Sequence, residues 1–164
     1  MNRRALLLAT AAAALGPGFA LAEVPRLFQL GTMRALRETH AGRPFVLALW
    51  SVHCAPCIED LPLWRKMRAI HPGVPIVLVA ADPAEETPRV QTLLARFGLG
   101  RDPGWIFGEA YVEKLRFAID RTWRGELPRT YFHDHEHRAR TVTGRVDTAF
   151  AEAWFAEVAG QGSR

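Results

Sequence analysis

The stretch Phe45-Val46-Leu47-Ala48-Leu49-Trp50-Ser51-Val52-His53-Cys54-Ala55-Pro56-Cys57 decides the fold. Five consecutive apolar residues, Phe45 to Leu49, fit a strand buried on both faces, as in the centre of a covered sheet. The chain from Ile58 to Ile70 reads as a helix, so the two cysteines stand where a strand passes into a helix. At a helix N-terminus the free N–H groups and the macrodipole favour an anion, which stabilises a thiolate at Cys54. Cys57 lies one turn further along the same face, placed to attack a mixed disulfide formed at Cys54.

The chain of 164 residues has no other cysteine. A CxxC alone cannot supply a four-cysteine zinc site, and Ile58 stands where haem attachment would need histidine. A disulfide closing so small a loop restrains the unfolded chain little. Dithiol–disulfide exchange is the reading that the strand–CxxC–helix context favours, with a metal-binding or inert role as the alternatives.

Outward from the cysteines, Trp50, Cys54-Ala55-Pro56-Cys57, Asp60 and Pro62 resemble the active site of the thioredoxin superfamily, most closely its TlpA/ResA-like branch of exported thiol–disulfide oxidoreductases. Two positions depart from the pattern. Ala48 stands where thioredoxin has a buried aspartate, and His53 where a bulky residue usually precedes the first cysteine. The resemblance implies an α/β thioredoxin-like fold, with a central mixed sheet flanked by helices. It also implies a cis-proline facing the CxxC, which would be Pro128, with Leu127 free to pair with an extended segment of a partner. Trp50, His53 and Leu127 are then groove residues, and Cys54, Cys57, Asp60 and Pro128 the catalytic ones. Asp60, at i+3 from Cys57, can reach the same face and assist proton transfer to or from the resolving thiol. The alternative for Asp60 is stabilisation of the helix start through its dipole.

Elsewhere the pattern alternates strands and helices. Thr32 to His40 reads as a short helix capped by Thr32, with Leu30, Met33 and Leu36 as its apolar side. Pro75 to Ala81 reads as a second buried strand, parallel to the first, and Thr87-Pro88 as the start of a helix. Trp105 to Phe107 fits a short extended piece and Glu109 to Ile119 a helix, with Tyr111 and Phe117 among its partly buried residues. Leu127 to Phe132 and Arg138 to Gly144 fit a hairpin, and Asp147 caps a closing helix. Between the hairpin strands, His133, His135 and His137 would share one face if the strand ran on, as a copper or zinc site; a turn there would instead leave them solvated.

Residues 1–22 have a paired arginine, an apolar core from Ala5 to Leu15 and Ala20-Leu21-Ala22, as in a cleaved secretory signal of Sec type, with a loose fit to a twin-arginine signal; an uncleaved anchor fits less well. Residues 23–164 then form one domain. Two of the 21 Lys and Arg fall in the leader, which leaves 19 against 17 acids. That small excess, with no basic cluster, argues against nucleic acid as a partner. An exported dithiol protein is expected to act on client proteins with disulfides or thiols and to take electrons from a membrane thiol–disulfide donor. Such chemistry uses no cofactor other than the Cys54–Cys57 disulfide. The branch favours reduction, of apocytochrome c or copper-site cysteines; oxidation or isomerisation, and a metal-carrying role for the histidines, are the alternatives.

Overall fold

The computed structural model describes residues 23–102 and 104–161, so the leader read at residues 1–22 lies outside the described residues. All six residues of β2 (Phe45–Trp50) are buried. Val46, Ala48 and Trp50 face one core, and Phe45, Leu47 and Leu49 face another on the opposite side of the sheet. This two-sided burial is why the strand reads as a continuous apolar run. β3 (Ile76–Ala80) pairs with it in parallel, joined by α2 (Ala55–Ile70). The sheet has the order β1-β4-β3-β2-β5-β6, where β1 is Arg26–Phe28, β4 is Trp105–Phe107, β5 is Arg129–His133 and β6 is Ala139–Thr143. β1, β4, β3 and β2 run parallel; β5 is antiparallel to β2, and β6 to β5.

α2 and α5 (Thr148–Gln161) cover one face through Leu61, Trp64, Met67, Trp154 and Phe155. α1 (Thr32–Thr39) and α4 (Val112–Ile119) cover the other through Met33, Leu36, Leu115 and Ile119. α3 (Thr87–Arg96) follows β3, and Val90 and Leu94 join the α2 core. Pro62 lies inside α2, as expected, and Asp147 Oδ1 accepts from Phe150 N at 2.8 Å to cap α5.

The structure corrects several local readings. β1 was not expected; it has three residues and only Phe28 is buried. The Thr32 hydroxyl makes no cap for α1, because it accepts from Gln29 N at 2.9 Å in the preceding turn, and Gly31, in the left-handed region at φ 93°, holds the N-cap position. Leu30 is exposed. α4 begins at Val112 rather than Glu109, and Tyr111 and Phe117 lie outside the core. Among the described residues no helix is long and apolar enough to cross a membrane.

Candidate active site

Cys54 is the N-cap of α2, with extended backbone (φ −106°, ψ 99°), and its Sγ accepts from Cys57 N at 3.2 Å. Pro56 stands in the first helical positions, where its missing N–H leaves no hydrogen bond unmade. Cys54 and Cys57 form a disulfide with an S–S distance of 2.08 Å. The two sulfurs differ in environment: Cys57 is 1% exposed within the core, whereas Cys54 is only partly buried at its edge. An incoming thiolate or disulfide meets Cys54 first, and Cys57 waits behind it.

The other chain segments at this end of the sheet come from different parts of the sequence. The ladder Leu49↔Arg129, continued by one residue, sets Pro128 beside Trp50. The Leu127–Pro128 bond is cis, as the resemblance implied. Pro128 O accepts from Gly144 N at 2.8 Å, which ties the loop to the end of β6. Leu127 is half-buried against both cores. Trp50 packs in the same core as Cys57, and its Nε1 is buried with no hydrogen-bond partner among the described residues.

Asp60 is 2% exposed, and both its oxygens are engaged: Oδ1 accepts from Arg145 Nε at 3.2 Å and Oδ2 from Val146 N at 3.1 Å. Burial pushes its pKa up, against the pull of these two bonds. The carboxylate thus ties α2 to the loop before α5. His53 is exposed; its Nε2 lies 3.0 Å from Glu86 Oε1 and its Nδ1 lies 3.4 Å from Arg89 Nη1.

Sequence reasoning missed Ser51 and Asp82. Ser51 Oγ donates to Asp82 Oδ1 at 2.6 Å, Val52 N donates to Asp82 Oδ2 at 3.0 Å, and His53 N donates to Ser51 Oγ at 3.0 Å. Asp82 is 3% exposed, so a buried carboxylate fixes the three residues that lead into Cys54. The signal for it was positional. In a parallel sheet, loops at the carboxyl ends of neighbouring strands meet, and Ser51 and Asp82 follow the adjacent strands β2 and β3.

The histidines do not share a face. β5 ends at His133, a turn follows, and His137 has left-handed backbone at φ 58°. His133 is buried and stacks on Phe45, with ring centroids 4.5 Å apart, and its Nδ1 lies 3.3 Å from His137 O. Burial lowers its pKa to about 4. Both ring nitrogens of His135 face carbonyl oxygens, of Gly42 and Val158, at 3.1 Å, and the bond to Gly42 leads in raising its pKa. His137 Nε2 lies 2.9 Å from His40 O. Each ring is directed at a different backbone oxygen, because the turn breaks the alternation that the metal reading needed. Among the described residues no group of three or more His, Cys, Asp or Glu side chains is arranged to hold a metal ion.

No family model and no curated protein matches the chain by sequence. Solved structures do match. A secreted Mycobacterium tuberculosis disulfide oxidoreductase, described as homologous to E. coli DsbE, is 16% identical, with a TM-score of 0.60 over 73% of this chain and 85% of that one. M. tuberculosis DsbF, solved in mixed oxidised and reduced forms, is 22% identical, with a TM-score of 0.61 over 74% and 84%. A thiol:disulfide interchange protein of the thioredoxin family from Chlorobium tepidum is 15% identical, with a TM-score of 0.60 over 74% and 83%. With its mixed sheet, its flanking helices and the CxxC at the start of α2, this chain has the thioredoxin-like α/β fold that these thiol–disulfide proteins share.

Proposed function

We propose that the protein is a thiol–disulfide oxidoreductase of an exported compartment, and that it reduces disulfides of client proteins. The observation that carries the reading is the asymmetry of the pair: Cys54 partly exposed at the helix N-terminus, Cys57 buried behind it. In the reductive direction the Cys54 thiolate attacks a client disulfide. One client sulfur leaves as a thiolate, and an S–S bond joins Cys54 to the other. Cys57, losing its proton, then attacks Cys54 Sγ, releases the second client thiolate and closes the Cys54–Cys57 disulfide. The client's disulfide is reduced by two electrons and this chain's dithiol is oxidised by two. A membrane thiol–disulfide donor must restore the dithiol, since such a compartment is otherwise oxidising.

Within this scheme the Cys54 thiolate is stabilised by Cys57 N–H and by the helix N-terminus. Asp60 is the acid one turn beyond Cys57, and burial raises its pKa, which makes it a readier proton donor and acceptor than an exposed carboxylate. Pro128 and Leu127 form the opposite wall of the groove, where Leu127 offers backbone to an extended client segment. Apocytochrome c and copper-site proteins are the client classes that the resemblance favours.

The test has two parts. Cys57→Ser, mixed with a disulfide client, accumulates a mixed disulfide at Cys54, whereas Cys54→Ser traps nothing; trapping through Cys57 instead would reverse the assigned roles. The equilibrium potential of the Cys54–Cys57 couple then sets the direction. A value near or below about −220 mV fits a reductase, and one near about −120 mV an oxidant.

A further inference from the structure

On the side of the sheet away from α2, the exposed face of α4 and the loop leading to Pro128 carry rings and cations. Tyr111 and Phe117 are 65% and 58% exposed. Lys114 Nζ lies 4.8 Å from the Tyr111 ring, the Arg121 guanidinium 5.2 Å from the Phe117 ring and the Arg116 guanidinium 5.8 Å from the Trp123 ring. Cations over ring faces hold both partners in place at a surface without neutralising the charge.

Three acids stand near these cations: Glu113 beside Lys114, Glu126, whose Oε2 accepts from Arg124 N at 3.0 Å, and Asp120, which is fully engaged. Asp120 accepts from Arg129, Tyr131 and Thr122. None of Lys114, Arg116, Arg121 and Arg124 forms an ion pair among the described residues. Arg116 lies against the loop itself. Gly125 has left-handed backbone at φ 106°, and a Cβ there would stand 2.9 Å from Arg116 Cζ. Arg116 Nε is buried there with no hydrogen-bond partner. Glu113, Arg116, Phe117, Arg121, Trp123 and Arg124 line a cavity of about 270 Å³, three cations against one acid. Arg124 is four residues before Pro128, at most about 14 Å away along the chain.

We propose that this face is a docking surface for client protein, and that its occupant is an acidic extended segment flanking the client's disulfide. The proposal rests on the reading that Cys54 exchanges with protein disulfides. Charge complementarity and placement carry it. A client strand laid against Leu127 runs past Glu126 and Gly125 to the Arg124 cavity, where Arg116, Arg121 and Arg124 outnumber Glu113 and the exposed Phe117 ring offers an apolar contact. Rim charges of this kind act mainly on association rate and its salt dependence.

Two synthetic peptides test it, each closed by one disulfide and flanked by Asp- and Glu-rich or by Lys-rich segments, with uncharged hydroxyethyl disulfide as the control. Second-order rate constants are measured with the reduced protein. The acidic peptide should react about tenfold faster than the basic one at low ionic strength, and the gap should close at about 1 M salt. The double variant Arg121→Glu, Arg124→Glu should lose the preference and keep its rate with hydroxyethyl disulfide. Equal rates for the two peptides, or a preference that survives in the double variant, would overturn the proposal. So would salt-sensitive binding to phosphatidylglycerol vesicles by a protein that shows no peptide preference, because that would make the face a membrane contact. If none of the three disulfides reacts, the oxidoreductase reading itself fails, and the docking proposal falls with it.

Discussion

Replacing Asp82 by alanine removes a carboxylate that holds the approach to Cys54, and the cost can be worked from its bonds. Asp82 accepts from the Ser51 hydroxyl at 2.6 Å and from Val52 N at 3.0 Å, and Ser51, Val52 and Asp82 are all buried. Alanine leaves both donors without an acceptor. Each orphaned buried donor costs about 1–3 kcal/mol, so losing the acceptor of both should destabilise Asp82→Ala by about 2–6 kcal/mol. Asp82→Asn keeps the shape and one acceptor oxygen and should cost about 1–2 kcal/mol. Guanidinium unfolding of the oxidised and the reduced forms, analysed for each variant, measures these losses. The clamp lies outside the disulfide loop and is expected to hold in both forms, so the losses should match within about 1.4 kcal/mol. The potential should then move by less than about 30 mV, while alkylation of Cys54 responds to the loosened loop. A change in stability below about 0.5 kcal/mol for Asp82→Ala would place it with ordinary surface substitutions and refute the clamp.

Three further outcomes follow from the charged groups. Asp60 has a folded pKa raised above its ordinary 3.8, so its stabilising contribution is complete below that value and is lost as pH rises through the folded value. Asp60→Asn should flatten stability against pH in that window and shift the pH profile of client reduction; an unchanged reduction profile would remove Asp60 from the proton transfer. His133 has its pKa lowered from 6.5 to about 4, so the stability it contributes is present above 6.5 and is lost as pH falls through 4, about 3 kcal/mol in all. In His133→Phe, acid titration followed by circular dichroism should lack that loss, and an identical acid midpoint would contradict the burial argument. Arg129 donates to Asp120 at 2.7 Å, to Tyr131 at 3.1 Å and to Thr143 at 2.6 Å, and its side chain is 14% exposed. Arg129→Lys cannot reproduce that fork and should cost about 1–3 kcal/mol in urea unfolding, whereas a loss under about 0.5 kcal/mol would show the fork to be replaceable.

What the sequence disclosed follows from how local each feature is. β2, the CxxC and α2 are contiguous, so their apolar run, their helix start and their chemistry appear together between Phe45 and Ile70. The cis bond and place of Pro128 needed a resemblance, since nothing in a lone proline shows that its strand will lie against β2. β1 escaped because three residues with one buried side chain, Phe28, are too few to show a period. Tyr111 and Phe117 were misplaced because burial was inferred from ring type, and both rings instead lie beside cations at the surface. The partners of Asp60 and Asp82 were hidden for a different reason. Arg145 is 85 residues from Asp60 and Ser51 is 31 from Asp82, and no spacing rule connects positions so far apart. The carboxyl ends of adjacent parallel strands gave the one usable hint, for Ser51 and Asp82.

Three carboxylates divide the work of holding this end of the molecule together. Asp82 ties β3 to the residues before Cys54, Asp60 ties α2 to the loop before α5, and Asp120 ties the end of α4 to β5 just after Pro128. Each does so through hydrogen bonds to a backbone N–H or an arginine, so the segments around the CxxC are tied to the sheet and to one another. The same charges bear on the direction of electron flow. The helix N-terminus and Cys57 N–H stabilise a thiolate at Cys54, which favours the dithiol form and an oxidising potential. A carboxylate buried one turn beyond Cys57 acts the other way, tempered by the bonds it accepts from Val146 N and from Arg145, whose side chain is more than half exposed. Asp60, one turn beyond Cys57 in α2, is the one of the three expected to act on both a loop and the couple, so Asp60→Asn is the variant in which stability and potential should move together, whereas Asp82→Ala should move stability alone.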